Sequence, residues 1–406
     1  MKRALATALL AVPLAFPADS AAGRFIAGQA VRVGVRSSGM GGNHVALRGE
    51  MGQATVNPAA VLLDENSVSF AIEGAVNAGP DFDTRGGLNS VTSGEGSPPL
   101  ILGFSTTFHD DYAFAIFDAL RYNDHLTGAL RSIDDPLAQI IRFEEEIRLS
   151  TTGLAVSVRV KPRLLVGLAL YLDRQKVFKM VDYDRDTSRV DPKDIEAFGT
   201  SKAVRGALGL IWSPRGKNTY GLSLLTRSDL TNNLEQHAFL EGITPTPDNP
   251  NAFFEQSFPV SEDFFPWSVT IGAQRRQSTK VDLYLDVSYV NWAVDPDRKG
   301  IVSASAGTEW RVSASNTIRA GLYTATDPGD YSPTAGLTDE DLRIRDLRAA
   351  TVSSYPDENT EVFLTGGFGL RTGYFTFDAS VEDSHLFSDY GRTLLKFGLT
   401  GRLPSR

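Results

Sequence analysis

The sequence predicts an all-β chain: a transmembrane antiparallel β-barrel of about 14 strands with an N-terminal segment packed in its lumen. Three observations carry that prediction. From about Ser67 onward, apolar and polar residues alternate with a period of two. Every second connection between the alternating stretches is tight, and those between them are mostly long. After the first residues, no apolar run approaches the ~18 positions that a membrane-crossing helix needs.

The elements follow in chain order. Residues 1–22 have the layout of a secretory signal peptide: Lys2 and Arg3, an apolar run from Ala4 to Phe16, then small residues in "PADSAAG". No cysteine occurs among the 406 residues, which excludes a lipid-anchored start, a disulfide scaffold and any thiolate metal site. The net charge of −9 argues against nucleic acid as a partner. The five histidines (His44, His109, His125, His237 and His385) show no i,i+3 or i,i+4 spacing, so no metal site is expected.

Residues 23–65 lack strand alternation and carry "SSGMGGNHVALRGEMGQATVNPAAV". The glycines suggest a phosphate loop, but Gly39-x-Gly41 would need a third glycine where His44 stands, and no Gly-Lys-Ser/Thr follows. A compact run of tight turns fits better. Gly39, Gly41 and Gly42 supply the backbone freedom, and Asn57-Pro58, followed by Ala59, supplies a turn signal. Such a segment would plug the periplasmic end of the barrel formed by residues 66–406.

Strands are expected at about 67–78, 99–108, 111–120, 147–160, 163–178, 203–213, 218–228, 265–276, 279–293, 301–312, 316–326, 360–371, 373–382 and 392–403. In "KVDLYLDVSYVNW" the residues Val281, Leu283, Leu285, Val287 and Tyr289 share one face, with Asp282, Tyr284, Asp286 and Ser288 on the other. "YFTFDASV", "WSVTIGA" and "TLLKFGLTGRL" repeat the pattern. The tight connections "HDD", "KPR", "SPRGKN", "RQST", "SASN" and "TG" all fall at one end, as the periplasmic turns of an outer-membrane barrel do. Trp267, Trp292, Trp310 and the Phe264-Phe265 pair sit near strand ends and suit an interfacial girdle. "DPLAQIIRFEEEIR", in the connection 121–146, reads as a short amphipathic helix with Leu137, Ile140, Ile141 and Ile147 on one side.

The chain resembles the outer-membrane long-chain fatty acid transporter family (FadL/TodX type). The resemblance rests on "SSGMGGNHVAL", on Asn57-Pro58-Ala59 in "ATVNPAAV", on "YGLSLLTRSDL", on "FFPWSVTIGAQRRQSTKVDLYLDVSYVNW" and on "YPDENTEVFLTGGFGLRTGYFTFDASV". It implies a monomeric 14-stranded barrel with an N-terminal hatch (23–65) in the outer membrane of a Gram-negative-type cell, touching outer-membrane lipid. The family's ligands are hydrophobic small molecules, fatty acids or hydrocarbons. They would be caught in outer loops, pass through a barrel pocket and leave sideways when the hatch shifts. No cofactor is implied, and no bond is made or broken, so a transporter and not an enzyme is expected. Phe253, Phe254, Phe258, Phe264 and Phe265 are candidates for the outer capture site; a loop packed on its own rim is the other reading. Arg159, Arg311, Arg319 and Lys396 are candidates to meet a ligand carboxylate, against the reading that they pair with lumen acids. Three departures stand out: a polar, short stretch at 179–202, no terminal aromatic in "LTGRLPSR", and no glycine or proline in the third strand "YAFAIFDAL". The competing function is a hatch-bearing barrel that anchors or shuttles secreted or periplasmic partners.

Overall fold

The computed structural model describes residues 33–42, 44–62, 67–78, 88–93, 101–108, 111–131, 140–184, 192–214, 217–240, 253–291, 300–326, 360–387 and 393–404. Seventeen hydrogen-bonded segments form one antiparallel sheet, and because three strands are interrupted they make fourteen staves. These are β1 (Ser67–Ala78), β2 (Leu88–Ser93 and Ile101–Phe108), β3 (Tyr112–Arg131), β4 (Ile140–Lys161) and β5 (Leu164–Asp184). Next come β6 (Pro192–Trp212), β7 (Asn218–Leu225 and Ser228–Leu240), β8 (Phe253–Phe265 and Ser268–Arg276) and β9 (Val281–Val290). β10 (Ile301–Arg311), β11 (Asn316–Thr326), β12 (Thr360–Thr372), β13 (Phe375–Asp383) and β14 (Thr393–Pro404) complete the wall. β1 pairs with β14 over its whole length, from Ser67 opposite Pro404 to Ala78 opposite Thr393, so the sheet closes on itself.

The period-two pattern sorts the side chains as the sequence suggests. On β9, Leu283, Leu285, Val287 and Tyr289 point outward and are exposed, while Asp282, Tyr284 and Asp286 are buried inside. The outward set continues around the barrel as Leu102, Leu170, Val204, Ile271, Val302 and Phe397, each more than half exposed. A continuous apolar belt of this kind is favourable only against lipid; on a dissolved protein it would drive aggregation. Among the described residues no helix is long and apolar enough to cross a membrane.

The tight turns lie at the end where β1 begins and β14 stops. There the β12–β13 turn places Gly373 at φ 56°, a left-handed value that glycine adopts freely. Aromatics mark the margins of the belt. Trp310 is exposed, Trp212 stacks on Tyr220 with ring centroids 5.7 Å apart, and Trp267 packs on Tyr289 at 5.5 Å. Trp292 lies outside the described residues.

Two expectations are corrected. The connections read at 121–146, 179–202 and 229–264 are largely strand: β3 runs to Arg131, β4 starts at Ile140, β5 runs to Asp184 and β6 starts at Pro192. The amphipathic helix over 135–148 is likewise replaced from Ile140 onward, because Ile140, Ile141 and Ile147 pair with β3 on one side and β5 on the other. Ladder bonds to two neighbours outweigh a short helical periodicity, since an isolated helix of that length is marginal. Leu137 lies outside the described residues.

The lipid-facing assignment has a direct test. Leu285→Arg, on the outward face of β9, should cost about 2–4 kcal/mol when the barrel is unfolded reversibly from lipid vesicles. An indistinguishable unfolding midpoint would take that face out of the bilayer.

Candidate functional site

The interior is occupied by the N-terminal segment. From Val33 to Leu62 no described residue is exposed. The segment holds a single helical turn α1 (Val35–Ser38) and two 3-10 turns, Met51–Thr55 and Pro58–Val61. Its glycines answer to two physical needs. Gly34, Gly41, Gly42 and Gly49 have φ between 84° and 117°, where a side chain is strained. Gly39 has an ordinary φ of −63°, but a Cβ there would lie 3.0 Å from the Gly367 Cα of β12.

The wall meets the segment with glycines of its own. A Cβ on Gly307 of β10 would sit 1.9 Å from the Met40 carbonyl oxygen, and one on Gly167 of β5 would sit 2.2 Å from the Ala59 nitrogen. Backbone therefore packs against backbone. Asn57 fastens the same region: its side chain accepts from the Ala59 N–H at 3.1 Å, capping the turn that Pro58 begins, and donates to the Val45 carbonyl at 2.6 Å and the Leu210 carbonyl of β6 at 3.3 Å.

Charge locks the other side of the plug. Arg36 donates two 2.8 Å bonds to Glu309 of β10. Glu309 also accepts from Arg319 at 2.9 Å, and Arg319 donates to Asp378 of β13 at 2.6 Å. Burial works against the Arg36 cation, but the facing Glu309 carboxylate overrides it and raises the guanidinium well above its ordinary value. Glu50 accepts from the Arg36 N–H at 2.7 Å and the Ser37 N–H at 3.2 Å, so it caps α1. Burial pushes the Glu50 carboxyl up, with Arg36 opposing. On the wall, Glu73 of β1 accepts from the Gly34 N–H at 2.9 Å. Lys396 of β14, fully buried, bonds Glu382 of β13 and donates to the Ser38 hydroxyl at 2.8 Å. His44 sits between the Asp286 carboxylate at 2.6 Å and the Met40 carbonyl at 2.7 Å, stacked on Tyr284.

On the turn side of the plug lies a cavity of about 390 Å³, lined by Glu50, Glu309, Arg311, Arg319, Asp378 and Arg402 among others. It is a polar vestibule.

The sequence-named residues fall into three groups. Gly39, Gly41, Asn57, Pro58 and Ala59 all lie at contacts between plug and wall, while Gly42 turns the plug backbone at a left-handed φ and its N–H donates to the Ser37 carbonyl at 3.0 Å. Each of the four cations has an acidic partner: Arg159 faces Asp111 at 3.9 Å, Arg311 bonds Asp282, Arg319 bonds Glu309 and Asp378, and Lys396 bonds Glu382. The backbones of Phe253, Phe254, Phe258 and Phe264 belong to β8, paired with β7, and not to a loop; their side chains lie outside the described residues. Phe265 is buried and points inward, with the Arg205 guanidinium 4.1 Å above its ring. The Arg36–Glu309, Lys396–Glu382 and His44–Asp286 pairings were not legible in the sequence, and neither was Arg205 with Asp173 at 2.6 Å. Inward parity marks the wall acids, but which plug residue meets each one depends on the path of the plug.

Fold and interior together define a class: a 14-stranded membrane barrel filled by its own N-terminal segment. The sequence matches no protein-family profile and no curated protein. Solved structures share the fold. The chain is similar to a Pseudomonas aeruginosa FadL homologue at 14% identity and a TM-score of 0.61, covering 91% of this chain and 98% of that one. It is similar to the Ralstonia pickettii toluene transporter TbuX at 14% identity and a TM-score of 0.61, over 92% and 99% of the two chains. For the P. putida toluene transporter TodX the values are 12%, 0.62, 92% and 99%.

Two substitutions test the plug. Gly307→Leu leaves no room for the Met40 carbonyl, so the barrel should still form while the N-terminal segment becomes open to protease. Lys396→Met strands the buried Glu382 carboxylate at a cost of about 3–5 kcal/mol, most of which Lys396→Met/Glu382→Gln should recover in the same unfolding assay.

Proposed function

We propose that this chain is a FadL/TodX-type transporter carrying hydrophobic small molecules, long-chain fatty acids or hydrocarbons, across an outer membrane. Residues 1–22 would direct its export, and residues 23–65 would act as the hatch. The observation that carries the reading is the shared architecture: a plug-filled barrel matching transporters named for toluene and a FadL homologue over more than nine-tenths of its length. A filled lumen is a poor water channel, and an apolar ligand has little use for one. Each methylene gains about 0.8 kcal/mol by leaving water, so a route bounded by protein and lipid avoids that penalty.

Lateral release fits a feature of β3. Its pairing with β4 slips between Leu120 and Tyr122, so Arg121 is an extra residue in the ladder. A bulge of this kind bends a strand without glycine or proline. Release would follow when the plug gives way at its hydrogen-bonded edge, where Asn57 and Pro58 meet the wall.

A second reading, a barrel that anchors or shuttles a secreted or periplasmic partner, is favoured by the polar character of the vestibule beneath the plug. The two separate cleanly. Binding of labelled oleate or toluene to the purified barrel, and uptake into cells that carry it, supports transport; no binding, with recovery of a periplasmic partner, supports the anchor. In the transporter, replacing Asn57 and Pro58 together should cut uptake while the barrel keeps its heat-shifted mobility on a gel. Normal uptake in that variant would remove the hatch from the mechanism.

A further inference from the structure

The tight turns of the barrel share a sign. Five successive turns around the wall read "KPR" (161–163), "SPRGKN" (213–218), "RRQSTK" (275–280), "RVSASN" (311–316) and "RTGY" (371–374). Each carries Lys or Arg, and none carries Asp or Glu. β14 brings Arg402 to the same end. The turn between β2 and β3, "HDD" (109–111), is acidic by contrast. The chain as a whole has a net charge of −9, so this basic arc runs against the balance of the molecule.

The arc stands on a rigid rim. At four junctions an arginine N–H donates at 2.8 Å to a carbonyl of the preceding turn: Arg276 to Lys217, Arg311 to Lys280, Arg371 to Ser315 and, from β14, Arg402 to Tyr374. The ladder thus continues into the turns and holds their backbones side by side. Charges arrayed in advance lose less freedom on meeting a partner than charges carried by free loops.

The side on which each cation stands distinguishes two kinds of anion. Buried Thr270, Glu309, Thr365 and Lys396 mark the inward parity of β8, β10, β12 and β14. The same parity puts Arg276, Arg311, Arg371 and Arg402 on the lumen side. Arg311, Arg371 and Arg402 line the vestibule beneath the plug, with Ser313 and Ser315 beside them. Arg275 takes the outward parity of exposed Ile271. A rim built for phospholipid headgroups would turn its cations outward along the lipid, as snorkelling side chains do. Here most of the strand-end cations face the barrel axis. The carboxylates deeper in the vestibule are already engaged, Glu309 by Arg36 and Arg319, and Asp378 by Arg319. At the mouth, Arg276 and Arg311 share the single carboxylate of Asp282, Arg402 donates to the neutral Gly49 carbonyl at 3.0 Å, and Arg371 is exposed. The mouth therefore holds more positive than negative charge among the described residues.

We propose that this turn end is a docking rim for an acidic segment of a soluble periplasmic protein, whose carboxylates enter the vestibule mouth beside Arg371 and whose flanks meet turn-tip cations such as Lys280. A field of one sign focused by the low-dielectric wall of the barrel steers such a partner to the axis. The surface goes beyond both readings of function: it depends on the outer-membrane reading for the compartment that the turns face, and not on what the barrel carries.

The test uses the absence of native cysteine. A fluorophore on Ser315→Cys reports the vestibule mouth, and one on Leu386→Cys, exposed past the far end of β13, reports the opposite rim. The full barrel is held in nanodiscs of phosphatidylcholine, and the probe is a short polyglutamate peptide carrying a quencher. The peptide should quench the Ser315→Cys label saturably and leave the Leu386→Cys label bright. Raising salt from about 0.1 M to about 1 M, which shortens the screening length from about 10 Å to about 3 Å, should abolish the effect. Arg371→Gln/Lys280→Gln should weaken binding several-fold with heat-shifted mobility retained, Arg371→Lys should keep it, and Arg275→Gln should leave it unchanged. Absence of quenching at the mouth overturns the proposal, as does an equal loss in Arg275→Gln. Loss of peptide binding when phosphatidylglycerol replaces phosphatidylcholine assigns the cations to lipid headgroups and overturns it too. Binding of oleate or toluene to the same nanodiscs is read separately, so failure of the rim and failure of the transport reading are distinguishable.

Discussion

The structure depends on the rule that backbone N–H and C=O groups facing hydrocarbon must be paired within the protein. The meeting of β1 with β14 satisfies it by removing the two edges that an open sheet would leave in lipid. Closure has a second consequence. Once the wall is a cylinder, the alternate side chains must share an interior, and in this chain those side chains include Glu73, Asp173, Asp282, Asp286, Glu309, Glu382, Arg205, Arg319 and Lys396. An enclosed ion without a partner is costly, so the interior has to be filled with complementary charge or left wet.

The plug does the first. Arg36 completes Glu309, Ser38 adds a partner to Lys396, His44 meets Asp286, and the Gly34 N–H meets Glu73. Glycines on the wall let its backbone come close enough for these bonds to form. Plug and wall are therefore one electrostatic unit. Moving the whole segment at once would strand several buried charges together, whereas the Asn57 side is held mainly by neutral hydrogen bonds. A motion confined to that side meets the smaller resistance.

The same pairing rule makes its exceptions meaningful. The extra residue at Arg121 on β3 and the register change between the two β6–β7 sections are places where the ladder departs from regularity. The first changes strand direction while keeping its neighbours. In the second, the register changes by one residue between the lower and upper sections, and Thr226 bonds Gly206 at the junction.

The sequence by itself determined the class and the faces. Alternation on "KVDLYLDVSYV" places Leu285 in lipid and Asp286 inside because successive strand residues point to opposite sides, whatever the neighbours are. The tight connections set the strand order and mark one end. The glycines and Asn57-Pro58 announced a segment of turns, since those residue types favour turns before any tertiary contact forms. Strand length was decided only in the folded chain: "IIRFEEEIR" becomes strand because β3 and β5 stand on either side to bond it. The same holds for Phe265, which faces inward beneath Arg205, and for each ion pair between plug and wall. These are long-range pairings, and a sequence specifies which faces are polar long before it specifies which charges on them will meet.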